Sequence, residues 1–221
     1  MIKKDTLGST IKFIADIGNF DFDNTNLVSV DYSLGDLQNS ETRFVSVAEA
    51  DYNTIQIDWL EKSLPNFNFA TGLRNNRIKR DNLLLTQLLV DNDLNPISEG
   101  EENFFNKENV FAGYFSGSFK WNNKSNLKIG IRIENTQIDG LNRINNEEVN
   151  QDYTDLFPSL YYGYDFNNKE NISFSLARSI ARPSFRDLNP FILKLDDFYY
   201  QTGNPELKPP NIPIAQKCHM K

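Results

Sequence analysis

Phe119-Lys-Trp-Asn-Asn-Lys-Ser-Asn-Leu-Lys-Ile-Gly-Ile131 is answered 45 residues later by Tyr164-Asp-Phe-Asn-Asn-Lys-Glu-Asn-Ile-Ser-Phe-Ser-Leu176. Each copy closes a strand on an aromatic residue, turns through Asn-Asn-Lys-x-Asn, and opens a second strand with an apolar side chain at every other position. A period of two places alternate residues on opposite faces of a pleated sheet. Leu127, Ile129, Ile131 and Ile133 therefore share one face, and Lys128, Gly130, Arg132 and Glu134 the other. One face is greasy and the other charged or small, the pattern of a wall between oil and water.

Working outward from that hairpin, the same alternation recurs. Seven strands are predicted, over residues 10–18, 44–60, 66–78, 110–121, 127–138, 153–166 and 172–179. Within them Ile11, Phe13, Ala15 and Ile17 share a side, as do Ile55, Ile57 and Trp59, and Phe111, Phe115, Phe119 and Trp121. The patterns run as long as the ~9–11 residues a tilted spanning strand needs, or longer. Globular strands are nearer ~5–6.

The connections alternate too. Short turns at 61–65, 122–126 and 167–171 are separated by polar stretches at 19–42, 79–108 and 139–152, which are expected to be long loops with strand extensions at most at their ends. Short periplasmic turns opposite long extracellular loops are the habit of an up-and-down barrel in an outer membrane. Trp59, Trp121 and Phe166 each stand beside a short turn. Aromatic rings favour headgroup depth, so these three are expected to form a membrane-interface girdle. The expected fold is all-β: a partial antiparallel up-and-down transmembrane β-barrel of about seven long strands.

Composition agrees. Of 221 residues only 39% are apolar, yet 13% are aromatic, with 17 Phe and 9 Tyr. That combination suits strands wetted by lipid on one face and water on the other. A net charge of −7 argues against nucleic acid, whose phosphates need a basic surface. The single cysteine, Cys218, and single histidine, His219, exclude a disulfide framework and a Cys-rich metal site. No run approaches the ~18 apolar residues of a spanning helix. Met1-Ile-Lys-Lys4 imitates a signal peptide, but Asp5, Lys12 and Asp16 break the apolar stretch that should follow. The leader of an exported protein is therefore expected to lie outside this sequence.

Three stretches invite chemistry. Asp91, Asp93, Asn95, Glu99 and Glu102 occupy positions 1, 3, 5, 9 and 12 of a calcium-loop spacing, but position 6, which needs glycine, is Pro96. A solvated acidic loop is expected, with weak divalent-cation binding near lipopolysaccharide as the remaining role. Leu83-Leu-Leu-Thr-Gln-Leu-Leu-Val90 is the most apolar run, and its periodicity leaves open a short helix, a strand extension or a ligand-facing lip. Arg178, Arg182 and Arg186 recur every four residues, but Pro183 forbids one continuous helix, so they are expected to bind acidic and backbone partners in a folded loop. No nucleophile–histidine pair, Gly-rich phosphate cradle or metal-ligand spacing is present, so neither catalysis nor a cofactor is expected.

From residue 153 onward the residues also carry a resemblance. Asp155-Leu-Phe-Pro-Ser-Leu160, Ala177-Arg-Ser-Ile-Ala-Arg-Pro-Ser-Phe-Arg-Asp-Leu-Asn-Pro-Phe191 and Gly203-Asn-Pro-Glu-Leu-Lys-Pro209 resemble the C-terminal barrel of TonB-dependent receptors, within their outer membrane protein β-barrel group. Glu108-Asn-Val-Phe-Ala-Gly-Tyr114 and Gly130-Ile-Arg-Ile-Glu-Asn-Thr136 resemble upstream strands of the same group. The resemblance implies an outer membrane location, contact with lipid and lipopolysaccharide, and an N-terminal plug and TonB system as partners. It implies energised uptake of a small-molecule, glycan or peptide ligand, for which Arg182, Arg186, Asn189, Phe191, Tyr199, Tyr200 and Asn204 are the candidate loop contacts. Residues 1–210 are expected to be barrel. Residues 211–221, entered through Pro209, Pro210 and Pro213, are expected to be an atypical tail and a poor strand, foreign to the barrel. Seven strands are about a third of the family's 22, so the isolated chain is expected to aggregate and not to transport. The alternative is a soluble or surface β-rich module that binds carbohydrate on its aromatics, and a third reading is an enzyme on a smaller barrel.

Overall fold

A computed structural model describes residues 2–3, 8–31, 33, 40–89, 97–167, 170–183, 185–191, 193–194, 199–209 and 215–220. The chain runs β1 (Ile2–Lys3), β2 (Thr10–Val30), β3 (Ser40–Glu61), β4 (Phe67–Leu89), β5 (Ile97–Asn122), β6 (Ser125–Asn142), β7 (Glu147–Asp165), β8 (Asn171–Ala177), α1 (Phe185–Leu188), β9 (Leu193–Lys194), β10 (Tyr200–Gln201) and β11 (Ala215–Met220). One nine-stranded sheet takes the order β1-β2-β3-β4-β5-β6-β7-β8-β11, and β9 pairs with β10. Every pairing is antiparallel and from β1 to β8 neighbours in sequence are neighbours in the sheet, with β11 added beside β8, which makes an up-and-down meander that among the described residues does not close on itself. The seven expected strands are β2 to β8.

The two matching turns fold alike. Asn122 Oδ1 accepts the Ser125 amide at 2.8 Å, and Asn167 Oδ1 accepts the Glu170 amide at 3.0 Å. Short asparagine side chains satisfy the backbone locally in this way, so the repeated Asn-Asn-Lys motif fixes both hairpins. The turns sit side by side, with the Asp165 amide donating to the Lys124 carbonyl at 2.8 Å.

The expected loops are a different matter. Most of residues 19–42, 79–108 and 139–152 is strand: β2 continues to Val30, β4 to Leu89, and the β6–β7 connection shrinks to residues 143–146. β5 has 26 residues and extends ~90 Å at ~3.4 Å per residue, several times what a bilayer requires. The extensions escape an alternation test because water wets their outer face, which then needs no apolar side chains. Leu83 to Leu89 is a strand extension, with Leu84 turned in, and Val90 lies outside the described residues.

In the tail, expected to be a poor strand, Ala215–Met220 pairs with β8 from Ala215↔Ala177 to Met220↔Ile172. Pro209, Pro210 and Pro213 all precede the paired run, so no proline interrupts its ladder.

Candidate functional site

The outer face comes first. Ladder partners point to the same side, so one row runs Ile11, Trp59, Thr71, Phe115, Ile131 and Pro158 across β2 to β7. The next row up runs Phe13, Ile57, Leu73, Gly113, Ile133 and Leu156. Among the described residues no second layer covers these side chains: Phe13 is 64% exposed and Leu73 51%. The apolar band also slides along the strands. Its lower edge is Ile11 on β2 but Phe166 just past the end of β7, eight residues past Pro158, the register equivalent of Ile11. Its upper edge moves by four residues, from Ile17, in register with Asp152, to Leu156. A mean slide of six residues is ~20 Å along the strands for ~24 Å across five spacings, a tilt of about 40°. Spanning strands tilt by ~35–45°, so a flat hydrocarbon slab fits this diagonal band.

The inner face is polar at the same level. Tyr114 Oη on β5 donates to Asp58 Oδ1 on β3 at 2.6 Å, and Gln56 Nε2 donates to both Asp58 oxygens at 2.9 Å. The Tyr114–Asp58 bond crosses β4 over Gly72, where a Cβ would come within 2.7 Å of both oxygens. Tyr52 likewise lies across Gly18 of β2, leaving no room for a side chain there. Thr54 Oγ1 donates to Asn76 Oδ1 at 2.7 Å, and Arg80 reaches Asn106 and Glu108. These polar side chains thus pair with one another across the wall, as hydrogen-bonding energetics demand.

Above the band, the segment after β8 folds back against the inner face. Arg178 donates to Asp155 Oδ1 at 2.8 Å and to the Leu156 carbonyl at 2.6 Å. Arg182 donates to Glu134, which Arg132 also holds, and the Glu134 residue is only 7% exposed. Burial works against the Arg182 charge, but Glu134 outweighs it and holds the guanidinium above its usual range. Farther on, Gln151 Nε2 donates to the Pro205 carbonyl at 2.8 Å. Phe191 completes an apolar cluster with Phe44, Leu84 and Phe104, all on the inner side of the strand extensions. Beside that cluster lies an open cleft of about 380 Å³, walled by β2, β3 and β4 and by Asn189, Phe191, Gln201, Thr202 and Gly203.

Of the expected loop contacts, Asn189 and Phe191 line this cleft, although Phe191 is chiefly core. Arg182 serves the wall instead. Asn204 caps its own turn, accepting the Glu206 amide at 2.9 Å, while Tyr199 and Tyr200 are exposed and outside the cleft lining. The Arg186 and Glu99 side chains and Asp91, Asp93 and Asn95 lie outside the described residues. Glu102 is on the inner face of β5, opposite Leu84. Trp59, Trp121 and Phe166 all face outward beside the turns, against Phe69, Phe119 and Tyr164 respectively. The sequence reading missed Phe22, Asn24, Asn26, Ser46 and Asn82 in the cleft wall. The signal was there: Phe20, Phe22, Asn24, Asn26 and Val28 alternate with Asp21, Asp23, Thr25 and Leu27 inside a stretch taken for loop.

Comparison with known proteins yields one family, the outer membrane protein beta-barrel family, matched over residues 2–212. No curated protein matches the sequence. Among solved structures, the ferric yersiniabactin uptake receptor FyuA from Yersinia pestis superposes with a TM-score of 0.52 at 12% identity, over 79% of this chain and 26% of that one. The unliganded ferric citrate transporter FecA gives a TM-score of 0.49 at 13% identity, over 76% of this chain and 25% of that one. The chain thus spans about a quarter of the length of each.

Proposed function

The chain belongs to the outer membrane protein beta-barrel family, and from that premise we propose that it supplies part of the wall and outer mouth of a TonB-dependent receptor. Its place is the outer membrane. In this reading the exposed band meets lipid, with Trp59, Trp121 and Phe166 as the interface girdle and lipopolysaccharide around the strands above. The polar inner wall faces an aqueous lumen that a plug fills, and the cleft beneath residues 178–209 receives an external nutrient. A periplasmic pull on the plug through TonB then clears the path inward. The role involves recognition and passage, with no catalytic step.

The observation that carries the reading is the diagonal outer band over a hydrogen-bonded inner wall onto which the post-β8 segment folds. A soluble carbohydrate-binding module would bury such a band under a second sheet. The test is in vivo crosslinking of the native, tagged protein to TonB. A TonB adduct in membranes from growing cells is the expected result, and its absence under conditions that crosslink other receptors would remove the transport role.

A further inference from the structure

The cleft in the outer mouth has a chemistry of its own. Among the described residues lining it, none is charged. Asn24, Asn26, Asn82 and Asn189 contribute amides, and Ser46 and Thr202 hydroxyls. An amide offers a donor and an acceptor together, the complement of a hydroxyl group, which also does both. Asn82 Nδ2 is buried without a hydrogen-bond partner. On the same face Phe20 and Phe22 stand side by side with ring planes 11° apart, and Phe22 is 47% exposed although it faces the wet side of the sheet. Phe22 beside a row of amides presents an apolar surface and hydrogen-bonding groups within one cleft, and Phe20 extends that surface just outside the lining. At about 380 Å³ the space falls in the ~300–1,000 Å³ range of small-ligand sites.

Resting on the receptor reading above, we infer that the cleft takes an uncharged, hydroxyl-rich ligand, an oligosaccharide. The flat C–H face of a sugar ring stacks on Phe22, with Phe20 flanking it, and its hydroxyls pair with Asn24, Asn26 and the Asn82 side chain in the cleft wall. An anion finds no counter-charge here and loses hydration without compensation. A purely apolar ligand leaves the amides unpaired.

The test uses outer-membrane vesicles from cells that make the native protein. The probes are neutral hexasaccharides of glucose, mannose, galactose, xylose and fructose, with hexagalacturonate and hexaalanine as charged and peptidic counterparts. Expected is saturable binding of at least one neutral hexasaccharide, weakened tenfold or more by Phe22→Ala and by Asn82→Leu. Asn26→Ala, at an exposed position, weakens it about threefold and guards against a folding defect in the other two. Preference for hexagalacturonate or hexaalanine overturns the ligand class and leaves the receptor reading intact. Binding by no probe, or binding indifferent to all three variants, overturns the cleft as a site. TonB crosslinking in the same cells separates that outcome from failure of the receptor reading.

Discussion

Ile131 and Phe104 belong to one sheet, yet they point to opposite sides of it. At the level of Ile131 the outer side is aliphatic and the inner side holds Arg132, Glu134, Tyr114 and Asp58. Nine residues farther along β5 than Gly113, Phe104 is turned in, 2% exposed, against Phe44, Leu84 and Phe191. Outward at that end stand charges: Lys107 pairs with Asp139 at 3.3 Å and Arg143 with Asp81 at 2.8 Å. The inner face of the sheet passes from polar to apolar along its own strands, while the outer face gains charges. Hydrophobic side chains follow whichever side is away from water, and that side changes where hydrocarbon gives way to solvent. A β-strand can make the exchange without interruption because its ladder is indifferent to which face is wet.

The contrast can be broken at either end. The largest effect is expected at the upper core, where Phe104→Ala removes a ring from the apolar cluster at a cost of ~3–5 kcal/mol. Limited proteolysis should then cut the strand extensions while the spanning part stays protected. Ile131→Arg comes next, at ~2–4 kcal/mol for a charge near the bilayer midplane, read as lost membrane assembly. Its control is Thr25→Arg, an exposed position on the outer face of the upper half, where a surface change is worth within ~0.5 kcal/mol. Equal penalties at the two sites would abolish the distinction between the levels.

Glu134→Gln sharpens the contrast between wall and mouth. It weakens charge-assisted bonds worth ~1.5–3 kcal/mol to Arg132 and Arg182, and hydrogen exchange should quicken across residues 178–191 with the barrel strands unchanged. The smallest effect is expected at Trp121→Ala, which removes an edge-to-face pair with Phe119 worth ~0.5–1.5 kcal/mol.

How much of this was legible follows the same division. Where lipid wets one face, Ile129, Ile131 and Ile133 announce the strand, its faces and its turns. Where both solvents are water, Asn103, Asn106 and Lys107 spell out a strand in residues that usually mark loops, and the pattern reads as a long connection. The 178–209 segment kept its arginines legible but not their partner, because Glu134 lies 48 residues from Arg182 and only the sheet brings them together. Cleft residues on β2 were lost with the strand that carries them.

The account rests most directly on which side of β6 meets hydrocarbon. Spin labels placed singly by cysteine substitution from Leu127 to Leu141, in the native protein in outer-membrane vesicles, report collision with oxygen and with a water-soluble nickel chelate. Oxygen should dominate at 127, 129, 131 and 133 and the chelate at 128, 130 and 132, with the oxygen peaks gone from 137 upward. Odd positions shielded from oxygen and even ones open to it, or no alternation below 134, would contradict the two-faced sheet and the membrane wall with it.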